Sequence, residues 1–182
     1  YQLKMYEIPE GKRTAGGKSI ANFLSLAAGE NITSVLAVPK NKKGTEASLA
    51  MATQNGIIKK ITYRHFEDVR RSGIIAIKLG RGDTLRWVNI IQKGDHILLS
   101  TKKGQAIRFK ESDLRPMGRT AGGVRAIRLK KDDELIGADA VDPKSSALLL
   151  VVSENGFGKK TTLKEYRLQK RGGSGIKTSK VT

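Results

Sequence analysis

Apolar and polar positions along this chain alternate in short bursts, and glycine punctuates the bursts. Ile57 to Tyr63, Leu85 to Ile91, Gln105 to Lys110 and Leu135 to Val141 have the length and β-branched character of strands rather than of helical faces. So do Ser48 to Thr53, Ile74 to Leu79, Ile97 to Thr101, Val124 to Leu129, Leu148 to Ser153, Phe157 to Thr162 and Ile176 to Val181. Before them, Tyr1 to Ile8 predicts a strand ending in a turn at Pro9. Ile20 to Leu26 reads as a strand or a short helical turn, and Ile32 to Val38 as a clearer strand. Lys40 to Glu46 reads as a polar hairpin loop. Asn55-Gly56, Lys103-Gly104 and Asn155-Gly156 mark tight hairpins. For Asn55-Gly56 the expected turn is type I′, whose two central residues both need positive φ.

These hairpins recur. Gly56, Gly104 and Gly156 are spaced by 48 and 52 residues. Four positions after each glycine stands a base, Lys60, Arg108 or Lys160; ten positions after it stands a large apolar residue, Phe66, Leu114 or Tyr166. Gly73, Gly123 and Gly175 then open a further strand, and acidic turns at Asp83 and Asp133 precede the last strand of two units. A period of about 50 residues with roughly four short strands is the signature of propeller blades. The expectation is an all-β, propeller-like domain over 1–182, with approximate repeat units 1–47, 48–94, 95–146 and 147–182. The first unit lacks its hairpin and the last its closing strand. A β-sandwich with similar hairpins is the alternative architecture.

Composition narrows the function. The chain carries 35 Lys and Arg against 17 Asp and Glu, a net charge of +18, with an apolar fraction of 38%. Enough apolar residues are present for a folded core, and the excess charge opposes compaction and favours a polyanion as partner. There is no cysteine, which excludes disulfides and thiolate metal sites. No apolar run approaches the roughly 20 residues of a membrane-spanning helix, and the first twelve residues do not read as a signal peptide. The chain begins inside a strand-like pattern, so it reads as a piece of a longer protein.

Catalytic chemistry is sparse. His65 and His96 occupy different places in the repeat and no pair has metal-ligand spacing. Glu67-Asp68 and Asp132-Asp133-Glu134 fall in turns, where acidic residues are common. More informative are the basic loops that precede the third strand of each unit. They are Gly11-Lys12-Arg13-Thr14-Ala15-Gly16-Gly17-Lys18, the plainer Arg70-Arg71-Ser72-Gly73, Gly118-Arg119-Thr120-Ala121-Gly122-Gly123 and Gln169-Lys170-Arg171-Gly172-Gly173-Ser174-Gly175. Placed on one rim, these loops form a stripe of charge. A duplex, with a phosphate about every 1.7 Å of axis, suits a stripe better than a pocket does. Glycine beside the bases lets backbone N–H groups approach phosphate. Aromatic residues are only 5%, with Trp87 the single tryptophan, which argues against single-strand stacking platforms. No pattern for base readout is present. The candidate DNA-binding residues are Lys12, Arg13, Lys18, Lys60, Arg108, Arg115, Arg119, Arg125, Lys160, Gln169, Lys170, Arg171, Gly172, Gly173 and Lys177. A propeller recognising an acidic protein is the competing reading.

Tyr6-Glu7-Ile8-Pro9, Met51 to Gly56, Ile75 to Leu79, Arg108 to Ser112, Gly123 to Leu129 and Glu154 to Lys160 together resemble the DNA gyrase A C-terminal domain, the β-pinwheel. The corresponding C-terminal domain of topoisomerase IV is a close alternative. Gln169 to Gly175 resembles the hallmark box of the gyrase family, Gln-Arg-Arg-Gly-Gly-Lys-Gly, with Lys170 in place of Arg and Ser174 in place of Lys. The family's box lies on its first blade, so this loop reads as a repeat-related copy. The resemblance implies a disc of typically six blades, of which this chain is a partial arc. It also implies duplex DNA wrapped on a basic rim without much regard to sequence, in support of ATP-driven negative supercoiling. It implies association with the rest of gyrase A and with gyrase B in an A2B2 complex, no membrane, and a bacterial cytoplasmic, nucleoid-associated setting. Neither ATP nor magnesium is expected in this portion; both belong to other parts of the parent enzyme, as does its catalytic tyrosine.

Overall fold

Each of the three glycine turns closes an antiparallel hairpin. In the computed structural model, which describes residues 1–38 and 47–179, β1 (Ser48–Thr53) pairs with β2 (Ile57–Thr62). Likewise β4 (His96–Thr101) pairs with β5 (Gln105–Lys110), and β8 (Leu148–Val152) with β9 (Gly158–Thr162). The turns are not type I′. Gly56, Gly104 and Gly156 have φ of 75°, 73° and 82°, and Asp132 is the sole non-glycine with positive φ among the described residues. Asn55 therefore sits at negative φ. Three residues separate the strands of the first two hairpins and five those of the third, and each turn holds one left-handed glycine, closed by bonds such as Gly56 N–H to Thr53 O (3.1 Å).

A hydroxyl at the start of each turn supports this geometry. Thr53 Oγ1, Thr101 Oγ1 and Ser153 Oγ accept, each at 3.2 Å, the N–H of Ile57, Gln105 and Phe157. The acidic turns lock the tips of two hairpins from outside. Asp83 Oδ1 accepts Asn55 N–H at 3.0 Å, and Asp133 accepts Lys103 N–H and the Thr101 hydroxyl, both at 2.8 Å.

The hairpins grow into sheets by long-range pairing. β3 (Leu85–Ile91) flanks β1, and β7 (Leu135–Val141) flanks β4. The fourth strand of each sheet comes from the next stretch of chain. β6 (Val124–Arg125) pairs with β2, and β10 (Ile176–Lys177) with β5, so the sheet orders are β3-β1-β2-β6 and β10-β5-β4-β7. Glycine at the head of each exchanged strand permits the approach. A Cβ on Gly123 would stand 2.7 Å from Ile58 O, and one on Gly175 2.5 Å from Ala106 O; both residues have positive φ, 96° and 75°. The third sheet holds only β8 and β9 among the described residues.

Apolar side chains cement neighbouring sheets face to face. Ala50, Ala52 and Ile58 of the first sheet meet Ile97, Leu99, Ile107, Phe109 and Ala138 of the second. Leu98 and Ala106 on its other face meet Leu149, Leu163 and Tyr166. Each fully buried aliphatic or aromatic side chain contributes about 1.5–3 kcal/mol, enough in sum to make each sheet depend on its neighbour.

The first 38 residues depart from the strand expectation. Tyr1 to Ile8 holds a 3-10 turn at Met5–Glu7 with Met5 and Tyr6 exposed, and Ile20–Asn22 is a second 3-10 turn. Among the described residues Ile32 to Val38 pairs with no strand, and neither does Ile74 to Leu79. Alternation creates a strand only where an edge is offered, and residues 1–38 present no hairpin for these segments to join. Instead Leu36, Val38, Ala76 and Ile77 cover the outer face of the first sheet, against Leu49, Met51 and Ile61. Of the expected run Val124 to Leu129, only the first two residues pair as strand. The expected loop over 40–46 and the end of the Ile176 to Val181 run lie outside the described residues.

Candidate nucleic-acid interface

The exchange of strands between sheets decides where the basic loops go. Loops 118–123 and 169–175 each lead directly into an exchanged strand, so each is carried over the edge of the sheet before it. Loop 118–123 is anchored there by Met117 N–H to Lys60 O (2.8 Å) and by Lys78 N–H to Ala121 O (3.2 Å). Loop 169–175 is anchored in the same way one sheet further on. Gln169 N–H donates to Arg108 O (2.8 Å), Gly172 N–H to Ala126 O (2.6 Å) and Arg128 N–H to Gly173 O (2.8 Å). The segment leaving the first loop is thus the one on which the second loop rests. Residues 74–78, 118–128 and 169–177 form one continuous edge.

Along that edge the bases face solvent. Arg119, Arg125, Lys170, Arg171 and Lys177 are all exposed, as is Arg115 just before the edge. Arg119 and Lys170 make no side-chain hydrogen bond or ion pair among the described residues. Arg171 is tethered, its Nε donating to Asp113 O (3.1 Å) and its Nη1 to Arg125 O (3.3 Å). Gly172 and Gly173 are half-buried, Gly172 at φ 79°, and Gln169 tucks inward with its Nε2 buried and unpaired within the protein. Arg128 belongs to this group and was not among the sequence candidates. It is exposed beside Gly173, while Ala126 and Ile127 between it and Arg125 are buried. The alternation of Arg125, Ala126, Ile127 and Arg128 was the available signal. Lys12, Arg13 and Lys18 are exposed in the first loop, which no described hydrogen bond joins to this edge.

Two of the recurring strand bases are turned to a different use. Lys60 is not on the rim: its ammonium pairs with Glu111, and the two side chains are only 14% and 6% exposed. Arg108 is half-buried. Its guanidinium donates to Leu163 O at 2.6 Å and to His96 Nδ1 at 2.9 and 3.1 Å. Glu111 and Leu163 occupy the same place in successive units, the 3-10 turn after the hairpin. Each base therefore ties its sheet to the turn of the next, which removes both charges from the reach of a ligand. Lys160, the third base, is exposed and no such turn stands opposite it among the described residues.

Burial and the neighbouring Arg108 and Lys110 charges hold the His96 pKa below its ordinary value, which keeps the imidazole neutral and able to accept from Arg108. Trp87 is packed against the core between the first two sheets, away from any stacking role. Among the described residues no three His, Asp or Glu side chains gather as a metal site, and no helix is long and apolar enough to cross a membrane.

The family model for the DNA gyrase C-terminal domain, beta-propeller, matches residues 1–39, 47–92, 95–142 and 147–182. The chain belongs to this family. DNA gyrase A of Staphylococcus epidermidis is 42% identical over 182 residues, all of this chain and 20% of that protein. DNA gyrase A of Haloquadratum walsbyi is 43% identical over 178 residues, 97% of this chain and 21% of that protein. The chain thus spans about a fifth of the length of these relatives. Among solved structures, the C-terminal domain of DNA topoisomerase IV superposes with a TM-score of 0.80 at 27% identity, over 88% of this chain and 49% of that one. The DNA gyrase A C-terminal domain superposes with 0.77 at 29%, over 97% and 55%. This gyrase-type C-terminal module is therefore all-β and pinwheel-like, as its repeats led one to expect.

Proposed function

We propose that this module binds duplex DNA along the edge formed by residues 74–78, 118–128 and 169–177, and bends it there. The observation that carries this reading is the succession of exposed Arg119, Arg125, Arg128, Lys170 and Lys177 on loops that rest on one another. Contacts to phosphate from arginine, lysine and glycine-rich backbone position a duplex without reading its sequence. Bending then follows from charge spread along an edge rather than collected in a pocket. The module carries no reaction itself. It serves a parent type II topoisomerase of the gyrase kind, in which it wraps DNA in support of negative supercoiling and works beside gyrase B. ATP and magnesium act elsewhere in that enzyme, in a bacterial cytoplasm where the chromosome is the partner.

Duplex affinity measured against salt tests the proposal. Each phosphate neutralised by the protein adds roughly 0.9 to the slope of log affinity against log salt. Neutralising Arg119, Arg125, Lys170 and Arg171 together is expected to lower both affinity and slope. An unchanged slope overturns the placement of the DNA track. Salt-resistant capture of an acidic protein, with no duplex binding, overturns DNA as the partner.

A further inference from the structure

The least expected side chain in the molecule is Lys59. It is fully buried, at 0% exposure, in the middle of β2. No carboxylate pairs with it among the described residues. Its ammonium instead donates to two backbone carbonyls, Ala76 O at 2.7 Å and Arg119 O at 2.5 Å. Burial pushes its pKa down from the usual lysine value. A buried cation without an anion is costly unless its donors are used and something is gained from the charge.

The gain lies in what the second carbonyl belongs to. Arg119 is at the tip of a tight turn closed by Ala121 N–H to Gly118 O (3.2 Å). Lys59 draws the Arg119 carbonyl inward, beneath the loop. Across a trans peptide the C=O and the following N–H point in opposite directions, and there are no cis peptides among the described residues. The Thr120 N–H is thereby aimed outward. It makes no hydrogen bond among the described residues, and Thr120 is exposed. Beside it the Arg119 guanidinium is exposed and likewise unbonded. An outward N–H, a free guanidinium and a buried positive charge behind them have the chemistry of a seat for one phosphate oxygen pair.

The second loop shows that the arrangement is not a general requirement of the fold. Three positions after the hairpin glycine of the second sheet stands Ile107, also fully buried, where the first sheet has Lys59. Among the described residues loop 169–175 gets no ammonium from below, and its own Arg171 reaches the carbonyls of Asp113 and Arg125 instead.

We propose that Lys59 is a positioning residue. Without touching DNA, it orients loop 118–123 so that the Thr120 N–H and the Arg119 side chain together hold a backbone phosphate of a duplex. This deepens the DNA-contact reading and rests on it. The test is a double-mutant cycle on duplex affinity with Lys59→Met and Arg119→Ala, each measured across a salt series with a short duplex of mixed sequence. Lys59→Met is expected to weaken binding about ten-fold and to lower the salt slope by about one, as Arg119→Ala does, because one charge-assisted contact is lost in each case. The double variant is expected to be little weaker than either single one. Lys59→Arg, which keeps the charge and the donors, is expected to recover most of the loss. A folded Lys59→Met variant with the parental slope, or losses that simply multiply, overturns the proposal. If Lys59→Met does not fold, hydrogen exchange on the parent protein decides. The Thr120 amide should gain protection when duplex is added, and no gain overturns the proposal. Failure of the unaltered protein to bind duplex at all would instead sink the DNA-contact reading.

Discussion

The two double-glycine loops that lead into β6 and β10 have nearly the same path but are held by different charges. Loop 118–123 is held from beneath by a buried lysine, which leaves its arginine free. Loop 169–175 lies over Ile107 and is held by its own arginine. The loop whose sequence is nearer the gyrase box is thus the one whose Arg171 is partly committed to the protein. Similarity of sequence marks where a loop belongs in the repeat; which side chain remains for a ligand depends on what lies under it. The same division separates the strand bases: Lys60 finds a carboxylate in the next unit, Arg108 a carbonyl and a histidine.

The backbone half of this comparison is the easiest to break. Gly175→Ala forces a Cβ to 2.5 Å from Ala106 O at φ 75°, and Gly123→Ala meets Ile58 O at 2.7 Å. Each is expected to cost about 3 kcal/mol or more in denaturant unfolding, from left-handed strain and backbone overlap together. Gly118→Ala, with nothing within 4 Å and no positive φ, serves as the control and should cost well under 1 kcal/mol. Equal costs at all three positions would mean that strand exchange does not depend on these glycines.

Next in size are the ties between sheets. Glu111→Ala leaves Lys60 without its anion in a largely buried site, and a loss of about 2–3 kcal/mol is expected in the same measurement. Replacing both partners with apolar residues should recover much of it, because the pair itself is worth less than its broken half.

The His96–Arg108 contact adds a dependence on pH. Because the folded pKa of His96 is depressed, the unfolded chain binds more protons than the folded one as pH falls below the ordinary value of 6.5. The stability that the neutral imidazole contributes is whole above that value and is lost as pH drops toward the folded pKa. A urea series between pH 5 and 8 should show this decline, smaller than the loss in Glu111→Ala. The decline should be absent in His96→Gln.

The smallest effects on stability sharpen the comparison most. Arg171→Ala should cost about 1 kcal/mol of stability, since two carbonyls lose a charged donor, whereas Arg119→Ala should fall within about 0.5 kcal/mol of the parent. On duplex affinity the order should reverse, with Arg119→Ala the weaker binder. If Arg171→Ala lowers affinity more than Arg119→Ala, the free and tethered roles have been assigned the wrong way round.

Local pairing was legible in the amino-acid order. A strand of the third unit, the turn at Gly104 and its partner strand lie within fifteen residues, and the two-residue periodicity of that stretch specifies their register. The buried Leu114 and Tyr166 were announced by their common distance from the hairpin glycines. Tyr1 to Ile8 and Ile32 to Val38 carried the same alternation and formed no sheet among the described residues, because pairing needs a partner edge that alternation alone does not supply. Among the basic residues, recurrence pointed alike to loop bases that are exposed and to Lys60 and Arg108, which are tied into the next unit, and Lys59 and Lys60, adjacent in sequence, could not be told apart from solvated bases.

What the sequence determined by itself is therefore the repeat, the hairpins, the all-β class and the excess of positive charge, since each depends on residues close together or on a simple count. Which strand completes which sheet, and which of the bases is left exposed, was decided only by tertiary structure. Val124 joins Ile58, Lys60 meets Glu111 and Lys59 meets Arg119 across some 50 to 66 residues of chain. Contacts at that range depend on how the sheets stack, which no local pattern of side chains encodes.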